Sequence, residues 1–195
     1  LKPFFLNINI NLSDLSLINL VQPDTLIMKL IRSNIFLNEN LNLLINLGSR
    51  NVDDYRFLED LIFKIELNQG LLDIKDTSLK FSDIAFIKLL NGNFRNKENI
   101  NSFIAEFEID ILDSEKLYKF FQTKKKYRKK IGKINFLINY DFISQSVKIE
   151  RLSIDNETSD LIQNFVRDFN AQDNQLKNRV ELRNFFNLLI ENYAG

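Results

Sequence analysis

The residues that could do chemistry in this sequence are carboxylates and cations, because the chain contains no histidine and no cysteine. That composition excludes zinc sites of the usual kinds, Ser-His catalysis and thiolate chemistry within this chain. Two groups of carboxylates stand out: the pair Asp53 and Asp54, and the run "DNETSD" with Asp155, Glu157 and Asp160. General acid–base catalysis needs carboxylates in differing environments, so that their pKa values separate.

Neither carboxylate group has the surroundings that such catalysis requires. The aspartate pair falls in a predicted loop, and "DNETSD" has the composition of a helix cap, with Thr158 or Ser159 at the capping position. The glycines Gly70, Gly92 and Gly132 stand alone, so they form no phosphate-binding loop. We therefore predict a protein that is not an enzyme, and no metal or cofactor is implied.

A second chemical feature is the basic run in "QTKKKYRKKIGK", which extends from Gln122 to Lys133. Its central cations are Lys124, Lys125, Lys126, Arg128, Lys129 and Lys130. The simplest interpretation is a solvated turn whose cations follow a helix C-terminus, where they interact favourably with the helix dipole. Alternatively, the run contacts lipid headgroups at an anionic membrane surface, where each cation of such a cluster contributes ~1 kcal/mol.

The overall charge argues against nucleic acid as the partner of this run. Basic and acidic residues both number 26, which gives a formal net charge of zero, whereas nucleic-acid-binding proteins usually carry a basic excess. Tyr127 is the single aromatic residue of the run on which a nucleic-acid base could stack, and no helix-turn-helix, zinc or RNA-recognition pattern accompanies it. We predict no nucleic-acid partner.

The elements that must position these residues are mainly strands, because apolar and polar residues alternate with a period of two. Strands are predicted between about residues 4 and 112 and between about 132 and 154. The matched alternation of "SFIAEFEIDI" and "KINFLINYDF" predicts one sheet with Phe107 and Phe136 on the same side.

Two local features of the strands can be predicted: a hairpin from the composition of a loop, and a β-bulge from a change in the apolar alternation. The loop "NQG" between two alternating runs predicts a hairpin. At Glu150 and Arg151 the apolar alternation slips by one residue, from odd-numbered to even-numbered positions, and this phase slip predicts a β-bulge.

Helical periodicity interrupts and follows the strands. Helices are predicted at about 23–33, 114–122, 159–170 and 174–192. The fold class is therefore α+β, with a mostly antiparallel one-faced sheet in a meander and with inserted and C-terminal helices. We expect residues 1–195 to form a single domain.

The apolar face of such a sheet needs a cover, because each buried Leu, Ile or Phe contributes roughly 1.5–3 kcal/mol. In one interpretation the helices pack on this face and fill the core. In the other, part of the face stays open as a β-groove for acyl chains or for another protein. The candidate groove residues are Phe103, Phe107, Ile109, Ile134, Phe136, Ile138 and Tyr140. The sequence leaves both interpretations open.

Four segments combine a strand meander, a hairpin at Leu61–Ile74 and a terminal helical region. In chain order they are "NLNLLINLGSRNVDDYRFLEDLIFKIELNQGLLDIKDTSLKF", "SFIAEFEIDI", "SEKLYKFFQT" with "KKKYRKK", and "KINFLINYDFISQSVKIERLSID". This combination resembles the C-terminal region of the AsmA-like family of bacterial envelope proteins. The resemblance covers about residues 4–192 and depends on the pattern and order of the segments.

The resemblance implies a non-enzymatic periplasmic protein, tethered to the inner membrane by an N-terminal helix that is absent from this sequence. It also implies outer-membrane assembly or inter-membrane lipid transport, with lipid acyl chains, a membrane surface and neighbouring segments of the same longer chain as partners. Because the sequence begins with "LKPFFLNINI" and not with Met, we expect a C-terminal fragment of a longer chain. The alternative function is a protein–protein interaction scaffold whose core is filled by its own helices.

Overall fold

The computed structural model describes residues 3–16, 29, 35, 38–52, 56–69, 71–74, 76–96, 100–172 and 178–195. Apart from Lys29, the helix predicted at 23–33 lies outside these residues, and so do Asp53 and Asp54. The described residues form a mostly antiparallel sheet with three α-helices, which confirms the predicted α+β class.

The bounds of the elements follow the predicted pattern closely. The strands are β1 (Phe4–Leu15), β2 (Leu41–Val52), β3 (Leu58–Asn68), β4 (Leu71–Asp73), β5 (Thr77–Phe81), β6 (Ala85–Asn96), β7 (Ile100–Ile111), β8 (Lys133–Asp141) and β9 (Ser146–Ile154). The helices are α1 (Ser114–Phe121), α2 (Asp160–Asn170) and α3 (Arg179–Ala194), and Lys125–Tyr127 form a short 3₁₀ turn.

Side-chain caps fix where the helices begin. The Asp113 side chain accepts a hydrogen bond from the Lys116 N–H and starts α1, and Ser159 does the same for α2 through the Ile162 N–H. The third helix begins later than the predicted residue 174, because Asn178 is extended and its side chain accepts from two N–H groups of the first turn.

The described residues form a nine-stranded sheet, in which eight strands follow the order β1-β2-β3-β5-β6-β7-β8-β9 and β4 pairs with β3 beside this path. All neighbouring pairs are antiparallel except β1 and β2, which run parallel with Phe4 opposite Leu41. Parallel pairing departs from a pure meander. It is available here because the chain between Leu15 and Leu41 is long enough for a crossover, whereas a two-residue hairpin would impose antiparallel pairing.

The register places the apolar residues of neighbouring strands on one face. Phe107 lies opposite Phe136, and Ile109 lies opposite Ile134. Directly opposed residues of an antiparallel pair point to the same side, so the predicted common face of β7 and β8 is confirmed.

The predicted hairpin and bulge are also present. Leu67 of β3 lies opposite Leu72 of β4, as the "NQG" loop predicts. Along β8 and β9 the register shifts by one residue, so that no residue of β8 lies opposite Glu150 in the register. This extra residue is the bulge that the phase slip indicates.

The three helices cover one end of the apolar face. Leu117 of α1, Ile162 of α2 and Leu189 of α3 are buried in one cluster with Ile134 of β8 and Leu152 of β9. The largest core of the protein therefore lies between the last strands of the sheet and the helices.

Towards its other end, the sheet packs against itself. Leu43 of β2 and Leu67 of β3 share a cluster with Phe142, and Tyr140 of β8 packs against it. Five strand-to-strand steps separate β2 from β8, and a flat sheet with strands ~4.8 Å apart would hold them roughly 24 Å from each other. Side-chain contact between them therefore requires a strongly curled sheet with a concave apolar face.

The sheet ends at β9 with its outer edge occupied. The Asn170 side chain donates to the Ile149 carbonyl at 2.7 Å and accepts from the Ile149 N–H at 2.8 Å. Further along the strand, Ile154 and Glu157 exchange backbone hydrogen bonds. These contacts fasten α2 to the edge of the sheet.

Replacing Asn170 with Ala should lower the free energy of unfolding by about 1–3 kcal/mol, because it leaves the N–H and the carbonyl of buried Ile149 without partners. Urea denaturation measures the change. The matched control is Asn164→Ala on the exposed side of α2, which should stay within about 0.5 kcal/mol of the parent. Equal stability of the two variants would contradict the edge cap.

Candidate functional site

The structure brings all seven candidate groove residues together on the concave face of β7 and β8. Phe103 lies opposite Tyr140, Phe107 opposite Phe136 and Ile109 opposite Ile134. Ile138, the seventh, lies opposite the buried Ala105. The sequence alternation thus places these side chains correctly with respect to one another.

Each of the seven also has contacts within the core. Ile134 is buried beneath the helices, and Ile109, Phe136 and Ile138 pack against the same cluster. The ring of Phe136 lies 6.2 Å from that of Phe185 in α3, centroid to centroid. The helices therefore occupy the face over this part of the sheet.

The remaining candidates pack against clusters that also contain residues of β2 and β3. Phe103 and Phe107 pack against a cluster that contains Ile65 of β3 and Ile74. Tyr140 packs against the cluster of Leu43 and Leu67. Apart from buried Ile134, the seven side chains are half-buried and not freely exposed.

The exposed part of the concave face lies on β1, where the sequence analysis placed no site. Phe4 is 65% exposed, Leu6 39%, Ile10 37% and Leu12 39%, and they occupy alternate positions of one strand. Only Ile8 of this row is half-buried, where it packs against the Leu43 cluster. The alternation in "FFLNININL" was visible in the sequence, but the position of β1 at the end of the sheet was not.

Side-chain hydrogen bonds fasten β1 to β2. The Asn46 amide donates to the Asn9 side-chain oxygen at 2.8 Å. The Asn51 amide donates to the Asp14 carboxylate at 3.0 Å and helps to lower the pKa of that carboxyl group. These bonds reinforce the parallel register that aligns the exposed apolar row.

A second candidate surface is the basic segment, Lys124–Lys130, which follows α1. Its backbone is held from inside the core, since Tyr118 is 1% exposed and its hydroxyl donates to the Lys129 carbonyl. On the neighbouring turn, the Thr123 hydroxyl donates to the Asn187 side chain of α3 at 2.7 Å. The basic segment is therefore fixed between α1 and α3.

Arg128 is part of this structure and not a solvated cation. Its guanidinium group donates twice to the Thr123 carbonyl, from Nε at 3.0 Å and from Nη2 at 2.8 Å. The side chain is 20% exposed, and Glu115 lies 3.7 Å away. The solvated-turn interpretation is wrong for this residue, because an arginine fork can close a turn by bonding its own backbone.

The lysines of the basic segment are more accessible. Lys124 forms an ion pair with Glu191 at 3.1 Å. The ammonium group of Lys126 lies 4.4 Å from the centre of the Tyr127 ring, and that of Lys129 lies 5.7 Å from the ring centre of Tyr193.

Lys125 and Lys130 are exposed, and their ammonium groups have no partner among the residues that the structure describes. For these two residues the solvated-turn interpretation fits. They are the cations of the segment that are free to meet an anionic surface.

The carboxylate run "DNETSD" serves the fold. Asp155 accepts hydrogen bonds from the N–H groups of Gly132 and Lys133, both at 2.8 Å. Asp160 lies in the first turn of α2, where a negative charge favours the helix dipole. Among the described residues, no group of three or more acidic side chains is arranged to hold a metal ion.

Comparisons with protein-family models, with curated proteins and with solved structures give no match to this chain. In the part of the chain that the structure describes, no helix has the length and the apolar character required to cross a membrane. The functional argument therefore starts from two surfaces, the exposed row on β1 and the basic segment.

Burial raises the pKa of Tyr118 to about 12, because the phenolate would be desolvated. With an unfolded value of 10.0, the neutral phenol stabilises the fold fully below pH 10, and that contribution is lost as the pH rises towards 12. Between pH 10 and pH 12 the parent should therefore lose up to roughly 3 kcal/mol of stability, at about 1.4 kcal/mol per pKa unit. Tyr118→Phe has no phenol to ionise and should not show this loss.

Urea denaturation at pH values from 7 to 12 tests this difference. At pH 7 the Phe variant should be less stable by about 1 kcal/mol, because the Lys129 carbonyl loses its donor. The same pH dependence in both proteins would show that the Tyr118 phenol ionises in the folded state as it does in water.

Proposed function

We propose that the protein is a non-enzymatic cell-envelope protein whose concave sheet face binds lipid acyl chains at the end that its helices leave uncovered. The observation that carries this proposal is the difference in side-chain exposure between the two ends of one apolar face. The face is buried under helices at β8 and β9 and exposes four large side chains of β1. Contiguous apolar surface on a protein is typical of an interaction site.

The chemistry of the exposed row suits an acyl chain. The row carries only apolar side chains at alternate positions, and the neighbouring Leu43 cluster forms its inner wall. Each methylene group removed from water contributes about 0.8 kcal/mol. An acyl chain can therefore bind this surface without any polar partner.

The order of the elements supports the same class of function. Strands of a curled sheet are followed by terminal helices that cover one end of its face, as expected for the C-terminal region of an AsmA-like protein. On this proposal the protein acts in the periplasm in outer-membrane assembly or inter-membrane lipid transport. A preceding segment of a longer chain would tether it to the inner membrane, and Lys125 and Lys130 would meet anionic headgroups.

A second candidate function is a protein–protein interaction scaffold with a filled core. The contacts of Phe136 with Phe185 and of Phe107 with the Ile65 cluster favour it, because they leave little room on the face of β7 and β8. In this case the exposed row of β1 would bind a protein and not a lipid.

Substitution of one apolar residue with Asp separates the two functions. Leu6→Asp should stay folded, because Leu6 is already partly exposed, and should lose uptake of a fluorescent acyl probe. Ile138→Asp should unfold, because Ile138 packs between two core clusters and an unpaired buried charge costs several kcal/mol. Circular dichroism and probe fluorescence measure both properties.

The matched control is Leu161→Asp, which removes an exposed apolar side chain from α2. It should keep the fold and the uptake of the probe. Failure of the parent protein to take up the probe, with no phospholipid extractable after purification, would favour the scaffold. A folded Ile138→Asp or Phe107→Asp variant that has lost uptake would instead extend the acyl-binding surface to the seven groove candidates.

Removing the two free cations of the basic segment tests the membrane contact. Lys125→Gln with Lys130→Gln should weaken binding to vesicles of anionic phospholipid and make it less sensitive to salt. Stability should change by less than about 0.5 kcal/mol per substitution. Arg128→Gln, in contrast, should destabilise the fold, because the Thr123 carbonyl loses two donors.

The control for general loss of charge is Lys148→Gln with Arg167→Gln, which removes two cations from β9 and α2. Vesicle cosedimentation at several salt concentrations compares the proteins. Equal weakening by both double variants would mean that the basic segment has no special role at the membrane.

A further inference from the structure

The two edges of the sheet differ in how they are protected against pairing with another strand. Outer strands usually carry charges, bulges or covering elements, because their free N–H and carbonyl groups otherwise accept a new strand. β9 has all three devices. It carries the charged residues Lys148, Glu150 and Arg151, it bulges at Glu150, and Asn170 occupies the edge groups of Ile149.

Within the part of the chain that the structure describes, β1 has none of these devices along most of its length. From Pro3 to Ser13 the sequence contains no charged residue, and the register with β2 is continuous along the strand, without a bulge. All but two residues of this 12-residue strand are exposed. No strand among the described residues pairs with its outer edge.

We propose that the outer edge of β1 pairs with β1 of a second copy of this chain, antiparallel about a two-fold axis. Such a symmetric interface places one patch against itself, so the patch must be self-complementary. β1 meets this condition because no charge would oppose a like charge. Its Asn side chains can also pair with one another, since an amide both donates and accepts, as Asn9 and Asn46 already show.

The alternation of the strand supports symmetric pairing. A pair centred on Ile8 places Phe4 opposite Leu12 and Leu6 opposite Ile10 on the apolar side, and Asn7 opposite Asn9 on the polar side. Opposed residues of an antiparallel pair share a face, so the exposed apolar rows of two copies would join. A partner strand with charged side chains would find no opposite charge between Pro3 and Ser13. The uncharged β1 of a second copy is therefore the better partner for this edge.

This pairing deepens the proposed function without depending on it. The dimer would double the length of the uncovered apolar face that is available to acyl chains. The pairing itself uses the backbone edge of β1, whereas acyl binding uses the side chains of Leu6 and its apolar neighbours. The two properties can therefore be changed separately.

Sedimentation velocity of the 195-residue chain from nanomolar to high micromolar concentration tests the proposal. We expect a reversible monomer–dimer equilibrium in the micromolar range, because one strand pair buries less than a standard interface of about 1,600 Å². A parent protein that stays monomeric throughout this range overturns the proposal.

Two charge variants locate the contact on β1. In the first, Asn7 and Asn11 are both replaced with Lys, and in the second both are replaced with Asp, while Asn9 is kept because it accepts a hydrogen bond from Asn46 of β2. Each variant alone should be monomeric because like charges would lie close together across the strand pair, and an equimolar mixture of the two should form a heterodimer. A Lys variant that associates as strongly as the parent, or a mixture without heterodimer, overturns the proposal.

The matched control adds the same charge elsewhere, with Asn164→Lys and Asn184→Lys on exposed positions of α2 and α3. It should dimerise like the parent. Both charge variants of β1 keep the apolar side of the strand, so their uptake of the acyl probe should persist where the parent binds the probe. Loss of the dimer and loss of acyl binding are thus separate readouts.

Discussion

The need to bury the apolar face of the sheet determines most of this structure. The strands place most of their apolar side chains on one face, and an uncovered face of that size would be strongly unfavourable in water. The protein covers it in two ways. Helices pack on the last strands, and the sheet curls until β2 and β3 contact residues at the end of β8.

These two covers explain why neighbouring parts of one face behave differently. Phe136 lies near the Phe185 ring of α3, and Phe107 packs against the cluster that contains Ile65 and Ile74. β1 is the last strand on the side away from the helices, and within its apolar row only Ile8 packs against the Leu43 cluster. Phe4, Leu6, Ile10 and Leu12 therefore remain exposed, although the alternation of β1 resembles that of the buried strands.

Local patterns in the sequence were sufficient for features that depend on local chemistry. Period-two alternation located the strands, Ser159 was a candidate for the helix cap that it forms, and the phase slip at Glu150 marked the bulge. The parallel partner of β1 and the curl depend on contacts between distant segments, so alternation could not reveal them. The role of Arg128 also depends on three-dimensional packing, since a basic run looks the same whether or not one member folds back onto Thr123.

The asymmetry of the sheet has a direct consequence for binding. At β9 the edge and the face are both occupied, by Asn170 and by the three helices. At β1 both are exposed, so an apolar ligand and an added strand would approach the same end of the molecule. The basic segment is fixed between α1 and α3 through Tyr118 and Thr123. Contact of its lysines with a membrane would therefore leave β1 free to bind acyl chains or a second copy.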